Sequence, residues 1–401
     1  MEFRAIEAGE VTASFATLAA AFAETSLDDW DAERDRQRLE PERLFAAIDQ
    51  GKIVGCAGAF SWKTVVPGGA SVGTAGISLV GVLPTHRRRG ITRELMGRVL
   101  AQAAERGEAL ASLYSSEAAI YGRFGFGPAA SFASHDIDVD RAGLPVRTDA
   151  GRVHLLSLEE ALPALAHVYM AARRPGLIEL DEAGVAWLFL PNPDPKEHLF
   201  YAVHEDAGGV PDAFATYRAK HDWPDDMPHV EITLKMLMAV TDDGYAAIWR
   251  FLFDVDLVHR IKAWERPLDE PLRLILAEPR ALRSKRSDGL YARPVDVAAA
   301  LAARSYASDG RVRIEFHDDF MRANEGRFEL TVENGTASCR RVAAEPDLVA
   351  DVTAIGAVYL GETSWYLLAA AGKAHERTAG ALATADAMFA WHEVPWAPVV
   401  F

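Results

Sequence analysis

The sequence predicts an α+β fold built from three closely packed blocks, and three observations carry that prediction. The chain has 401 residues, too many for one ordinary core; at about 150 residues per domain it makes two or three. Half of the residues are hydrophobic and a quarter are charged, the balance of a globular protein that buries large cores. Strand-like and helix-like patterns alternate along the whole length, and no low-complexity linker parts them.

The first block, about residues 1–140, opens with a helix pattern in "VTASFATLAAAFA" (11–23). "KIVGCAGAFSWKTVV" then reads as a pair of strands, and "AGISLVGVL" as a buried strand bounded by glycine and proline. From Arg88 to Arg106 the apolar residues Ile91, Leu95, Met96, Val99, Leu100 and Ala103 recur at helical spacing. Glu94, Arg98, Gln102 and Glu105 fall elsewhere on the turn, and Gly107 is placed to end the helix. "EALASLYS" adds another strand.

The second block, about 141–290, repeats that layout: "VEITLKMLMAV" (Val230 to Val240) is a strand and "DGYAAIWRFLFDVD" a helix. The loop between them, "TDD", carries two acids and no arginine. An internal duplication whose copy keeps the scaffold and loses an anion site would look like this. The third block, about 291–401, begins near "GLYARPVDVAAALAARSY". It holds strand-like "RVRIEF" and "FELTVENG", then helical "SWYLLAAAGKA" and "ADAMFAWH", and ends on "VPWAPVVF".

Charge and cysteine content exclude several classes. With 58 Asp plus Glu against 42 Lys plus Arg, and a formal net charge of -16, broad binding to nucleic acid or to an anionic membrane is not expected, since both need clustered positive charge. A cationic small-molecule partner fits better, although surplus acid also serves solubility. Cys56 and Cys339 have no CxxC neighbours, so no disulfide framework and no metal site is expected, and a reducing compartment is. "MEFRAIEAGE" lacks the basic start and apolar core of a signal peptide. Residues 64–85 carry no formal charge, but Pro67, Gly68, Gly69, Gly73, Gly76 and Gly81 make them a turn and a strand rather than a membrane helix. The expectation is a soluble, cytoplasmic protein.

Against that acidity stands "VGVLPTHRRRGITREL" (Val80 to Leu95), with Arg87, Arg88, Arg89 and Arg93 within seven residues. A strand that ends at Pro84 and turns into a helix aims the free N-H groups of the helix start at whatever lies above the turn, and the helix dipole adds positive charge there. Gly90 lets a ligand approach the backbone and the arginines suit phosphate. The run fits R/Q-x-x-G-x-(G/A) except that Thr92 replaces a smaller last residue, and no GxxxxGK[ST] loop is present. Three arginines before a helix also occur as a solvated turn; the uncharged strand before them and the amphipathic helix after them favour the anion site.

This strand, loop and helix resemble those with which the GNAT acetyltransferases bind acetyl-CoA. The resemblance implies that Val80, Gly81 and Val82 pair with the pantetheine arm, and that Arg87, Arg88, Arg89, Gly90, Ile91, Thr92 and Arg93 form the pyrophosphate cradle. It also draws attention to Tyr121 in "SSEAAIYGRFGFGPA" (Ser115 to Ala129), placed where a GNAT fold has the tyrosine beside the departing thiolate. The glycines there read G-x-x-G-x-G but open no helix, so they are not a dinucleotide fingerprint. A phenol titrates near about 10 and a thiol near about 8.5, so a neutral tyrosine can protonate the leaving sulfur. Packing among Phe124 and Phe126 is the plainer role for the same ring.

The apolar tail completes the pattern. "VPWAPVVF" has no charge after Glu393, so its end is expected to be buried with its carboxylate, or to be a last strand with that carboxylate at the surface. "VGVLPTHRRRG", "SEAAIYGRFGFGP" and the late "YLGETSWYLLAAAGK...PWAPVVF" together resemble the enhanced intracellular survival (Eis) family over essentially the whole chain. That resemblance implies a catalytic N-terminal GNAT domain, a degenerate central one and a C-terminal domain of the sterol carrier protein type 2 fold. It implies Tyr121 as general acid, the Phe401 carboxylate as general base, and Ser116 and Glu117 lining the CoA site. It further implies a homohexamer that acetylates amines of aminoglycosides. Glu24, Asp28, Asp29, Asp31, Glu33 and Asp35 around Trp30 are either a wall for the cationic substrate or a solvated helix face. Protein lysines and small polyamines are the alternative acceptors, and a CoA-regulated lipid carrier the non-enzyme alternative.

Overall fold

Two sheets organise the computed structural model, which describes residues 1–23, 38–144, 151–189, 198–223 and 227–401. Among these residues the larger sheet contains β1 (Glu2–Ala5), β2 (Leu44–Asp49), β3 (Lys52–Val65), β4 (Ser71–Val82), β5 (Leu110–Tyr114) and β6 (Gly127–Asp138). It continues with β7 (Arg152–Leu156), β8 (Phe200–Glu205), β9 (Pro211–Asp222), β10 (His229–Ala239), β11 (Val258–Arg266) and β12 (Leu282–Pro294). Their spatial order is β1-β2-β3-β4-β5-β12-β6-β11-β10-β9-β8-β7. The first two blocks therefore share one continuous sheet, joined where β6 pairs antiparallel with β11.

β12 is the unexpected member. It lies between β5 and β6, with Leu290 to Pro294 paired to β5 and Leu282 to Ala292 paired to β6. The chain thus returns from the central unit to complete the N-terminal one, and a cut at 290/291 would fall inside this strand.

The helices follow their apolar periodicity. α1 (Val11–Phe22) buries Phe15 and Leu18 and ends at Ala23 in the left-handed region. α2 (Ile91–Glu105) buries Ile91, Leu95, Met96, Val99, Leu100 and Ala103, the stripe the spacing predicts, with Gly107 at φ +72° just beyond its end. The predicted strand pair over 52–66 is a single strand, β3. Gly58 does not turn it: a Cβ there would lie 2.9 Å from Leu44 Cδ1, so the residue is small because β2 packs against it.

The C-terminal unit has a second sheet of β13 (Gly310–His317), β14 (Gly326–Glu333), β15 (Thr336–Arg341), β16 (Leu348–Asp351) and β17 (Ala374–Glu376), in the order β15-β14-β13-β16-β17. One face of it carries a core of Ile314, Phe316, Leu330, Leu348 and Ala374. Helix α7 (Val352–Val358) docks this unit on the large sheet. A Cβ on Gly127 would lie 2.0 Å from the Thr353 carbonyl oxygen, and one on Gly356 2.1 Å from that of Ala292, so helix and sheet touch backbone to backbone. Arg293, fully buried, locks the junction by donating to Phe124 O and pairing with buried Asp318 at 2.5 Å.

Beyond α9 (Ala381–Phe389) the chain has no regular structure, yet Trp396 and Val399 are buried. Val394 N donates to Asp269 at 3.2 Å, Trp396 N to Pro175 O at 2.8 Å and Trp396 Nε1 to Glu265 O at 2.5 Å. The tail leaves the C-terminal unit, is anchored on the central one, and ends against the N-terminal one. No helix among the described residues is long and apolar enough to cross a membrane.

Candidate active site

The site is built around a fork between β4 and β5. Leu79 has φ +57° and the β3–β4 register shifts between Cys56 and Gly58, so β4 carries a bulge there. β4 stays on β3 as far as Val82, but it pairs in parallel with β5 only at Thr74–Leu110, Ala75–Ala111 and Gly76–Ser112. Past Gly76 the two strands diverge, and the β5-facing edge of residues 77–82 is released from the ladder. Such an edge accepts an extended arm through main-chain hydrogen bonds. Val80, Gly81 and Val82 lie on it. Gly81 is small for a different reason than ligand approach: a Cβ there would lie 2.8 Å from Leu18 Cδ2 of α1.

From this edge the chain passes a short turn at Pro84–His86 into α2. Arg88 has φ +63° and Gly90 φ +78°, and Gly90 caps the helix without a side-chain bond. The N-H groups of Ile91, Thr92 and Arg93 face forward from the helix start, where Gly90 leaves open space. The four arginines are not equivalent. Arg87 donates to Ala21 O at 3.1 Å, and Arg89 to Thr85 O at 3.4 Å while lying 4.0 Å from Asp49. Arg93 stands over the Phe320 ring at 5.0 Å. Arg88 has no partner among the described residues.

Helix α3 (Ala118–Tyr121) follows β5 and carries the predicted acid. Tyr121 is 7 % exposed and meets Phe126 edge-on at 6.2 Å. It sits in the cluster that contains Ala75, Ile77, Ala111 and Leu113. Burial first, and the Glu117 charge second, push its phenol above the usual value, which keeps it protonated at neutral pH. Ser116 and Glu117 are exposed in the turn before it. Ser115 was not singled out by the sequence, yet its Oγ is buried with no hydrogen-bond partner among the described residues.

Phe401 approaches the fork from the other face. Its ring stands edge-on to Tyr114 at 5.6 Å and Phe60 at 6.4 Å, and tilted to Trp62 at 6.0 Å. A Cβ on Gly76 would lie 3.0 Å from Phe401 Cε2, so the ring covers the last paired residue of β4. Since Ala75, Ile77, Ala111 and Leu113 point to one face and Gly76, Ser112 and Tyr114 to the other, Tyr121 and Phe401 flank the fork apex from opposite sides. The Tyr114 hydroxyl donates to Ala397 O and pins the tail there.

Next to Phe401 opens a cleft of about 430 Å³ lined by Arg38, Glu40, Phe60, Ser61, Trp62, Ala183 and Trp187. Trp187 belongs to α5 (Glu182–Leu188) of the central unit, so both units shape it. The Arg38 guanidinium lies over Trp62 at 5.6 Å and over Trp187 at 5.1 Å, with Asp181 3.8 Å away. Glu40 accepts from Ser61 and, at 3.0 Å, from Arg106. Buried Trp62 Nε1 has no acceptor among the described residues. Glu40, in the lining, and Asp181, beside Arg38, are acids that the sequence did not mark; the run from Glu24 to Asp35 around Trp30 lies outside the described residues.

The central unit repeats the fork and closes it. β10 and β11 run parallel from Val230–Val258 to Leu234–Ala263, and beyond them Arg266 Nη1 donates across the gap to Leu237 O at 2.7 Å. Arg266 pairs with buried Glu270 at 2.6 Å, Glu270 meets His135 at 3.0 Å, and the Trp396 ring lies 5.4 Å from Arg266. The following helix, α6 (Asp242–Phe253), starts with Thr241 as a side-chain cap and with Asp242 and Asp243 in its first turn, which repel an anion. No group of three or more His, Cys, Asp or Glu side chains among the described residues is placed to hold a metal ion.

Comparison with known proteins gives the same order of units. Models of the acetyltransferase (GNAT) domain match residues 2–129 and 181–296, and one of the sterol carrier protein domain matches 297–398. An uncharacterized N-acetyltransferase of Streptomyces avermitilis is 37% identical over 398 residues, 95% of each chain. N-acetyltransferase Eis of Mycobacterium tuberculosis is 33% identical over 352 residues, 84% of this chain and 83% of that one. Among solved structures, Eis1 from Mycobacterium abscessus superposes with a TM-score of 0.88 at 34% identity, covering 100% of both chains. A GCN5-related N-acetyltransferase from Anabaena variabilis shares the fold, with a TM-score of 0.86 at 20% identity over the full length of both.

Proposed function

Because the chain belongs to the Eis family of GNAT N-acetyltransferases, we propose that it acetylates a primary amine of a polycationic acceptor, with aminoglycosides as the class the family resemblance names. The observation that carries this reading is the β4–β5 fork with Tyr121 on one face of its apex and Phe401 on the other. The residues fit acetyl-CoA: the released edge of 77–82 leads to a helix start without a side-chain cap, with Arg88, which has no partner among the described residues, beside it. When bound, acetyl-CoA supplies an acetyl group activated as a thioester.

The chain's own groups do the rest. The edge at Val80 to Val82 fixes an extended arm, and the N-H groups of α2 with Arg88 hold the anionic end. The carboxylate of Phe401 takes the proton that the acceptor ammonium must lose before it can attack. Tyr121, held neutral by burial, gives its proton to the departing sulfur. The cationic acceptor enters the cleft of about 430 Å³, where Glu40 offers a carboxylate and the acceptor takes the place of the Arg38 guanidinium over the Trp62 and Trp187 rings.

The test is thiol release from acetyl-CoA with an aminoglycoside, spermidine and a lysine-rich peptide, run on the wild type and on Tyr121→Phe. The aminoglycoside is expected to turn over fastest, and Tyr121→Phe to lose about 100-fold in kcat together with the alkaline limb of the pH profile. A faster peptide reaction overturns the acceptor class, and an unchanged profile overturns the role of Tyr121. The same reading makes the protein a homohexamer, which sedimentation equilibrium checks.

A further inference from the structure

A cleft of about 990 Å³ lies where the C-terminal unit meets the loop that carries Tyr121. Phe126 and Pro128 form one wall and Ala354, Ala357 and Leu368 another, and Leu367 of α8 (Trp365–Ala370) stands at the rim, 61% exposed. The apolar wall of Ala354, Ala357 and Leu368 belongs to the edge of the buried cluster of the C-terminal unit. Ala374 of β17 turns into that cluster, while His375, one residue on, turns the opposite way toward the cleft.

The polar part of the lining is basic in a chain of net charge -16. Lys373, His375 and Arg377 alternate along β17 and its flanks, so all three project to the side that lines the cleft. None of their side chains has a hydrogen bond or ion pair among the described residues. Asp351, the acid in the lining, is already engaged: its Oδ1 accepts from Thr353 N at 2.9 Å and caps α7. Cations without partners beside apolar walls match one kind of occupant, a molecule with an anionic head and an apolar body.

We propose that this cleft binds an amphipathic organic anion, its carboxylate or phosphate head held by Lys373, His375 and Arg377 and its apolar body laid against Phe126, Ala354 and Leu368. The site is distinct from the fork, although Ala118, Gly122 and Phe126 of its lining flank Tyr121.

The experiment uses the full-length protein with its fork saturated by CoA and follows the fluorescence of 8-anilinonaphthalene-1-sulfonate, an aromatic anion. Decanoate, decyl phosphate, decylamine and decanol then compete. One probe molecule per chain is expected, displaced by decanoate or decyl phosphate at concentrations about tenfold lower than by decylamine or decanol. The more effective of the two anions identifies the head as carboxylate or phosphate. Replacing both cations (Lys373→Ala with Arg377→Ala) should weaken decanoate about tenfold and leave decanol unchanged. Leu367→Glu, an exposed change that sets a negative charge at the rim, should do the same in a chain whose fold is undisturbed. Decylamine competing as well as decanoate, decanoate binding within about twofold of wild type in both variants, or no probe bound would each overturn the proposal.

Discussion

A single methyl group at Gly76 tests whether the fork apex is the reaction centre. A Cβ there would lie 2.0 Å from Trp62 Cδ1, 2.3 Å from Trp62 Nε1 and 3.0 Å from Phe401 Cε2. Carbon atoms rest at about 3.5–4.0 Å, so the indole must retreat by about 1.5 Å and Phe401 by about 0.5–1 Å. Trp62 has little room: it is 5% exposed, with Phe60 at 5.4 Å and Trp187 at 5.9 Å. Overpacking of this kind costs about 1–3 kcal/mol, and the rigidity of both rings places Gly76→Ala near about 3 kcal/mol. Catalysis is more sensitive than stability, because a misplacement of about 1 Å at reacting groups costs on the order of 100-fold. Urea denaturation and steady-state thiol release read the two effects separately. The expected result is kcat lower by about 10–100-fold, with the KM for acetyl-CoA nearly unchanged because the turn at Pro84–His86 is untouched. Gly97→Ala, inside α2 with its Cβ meeting only Phe320 Cζ at 4.0 Å, should raise stability by about 0.5–1 kcal/mol and leave kcat at wild type. A Gly76→Ala enzyme that loses stability but keeps kcat within about threefold would refute the placement of the chemistry beside Phe401.

Three further changes probe other parts of the argument. Gly90→Ala forces an alanine to φ +78° with nothing within 4 Å of its Cβ, so it should cost about 1 kcal/mol of strain and raise the KM for acetyl-CoA with kcat kept, as initial rates would show. Burial raises the pKa of Glu270, but Arg266 and His135 outweigh it and hold the carboxyl at about 2. Its stabilisation is therefore present above the ordinary carboxyl pKa of about 4.5 and lost as pH falls toward about 2. Glu270→Gln should destabilise by about 3 kcal/mol at pH 7 and flatten the acid limb of a denaturation series. Glu265 has the opposite sign: burial pushes it up to about 7, so its contribution is complete below about 4.5 and lost as pH rises through about 7. Glu265→Gln should remove that decline, and equal slopes of stability from pH 5 to 8 in the two proteins would contradict it.

The fold and the site were legible in the sequence to different depths. The six apolar residues of α2, the glycine at Gly90 and the acids of "TDD" act within one turn of chain, where periodicity and capping leave local marks. β12 left no such mark. Its strand character shows locally, but its place between β5 and β6 depends on pairings with residues 127–137 and 110–114, which no local pattern encodes. The reading of 52–66 as two strands failed because the chain runs through Gly58 without turning, the glycine serving as a contact with Leu44. The cleft beside Phe401 was hidden for the same reason as β12: Arg38, Trp62 and Trp187 meet only in three dimensions. The four arginines were read as one cradle, and their separate neighbours left no local mark: Arg87 and Arg89 each donate to a carbonyl oxygen and Arg93 lies over Phe320.

The two forks explain why one unit of a tandem pair carries the site. Both diverge after three to five parallel pairs, so the backbone scaffold was equally available in each. What differs is which groups enter the gap. In the central unit Arg266 reaches across to Leu237 O and is held by Glu270 and His135, so an extended arm would have to break a buried ion pair to take its place. In the N-terminal unit nothing among the described residues crosses the gap beyond Gly76, and the side chains that approach it, Tyr121 and Phe401, stop at its apex. Trp396 links the two cases, since its ring covers Arg266 while the five residues after it carry the chain to the open fork. The closed copy therefore contributes to the site as an anchor: its stitched gap gives the tail a rigid footing from which Phe401 reaches Gly76.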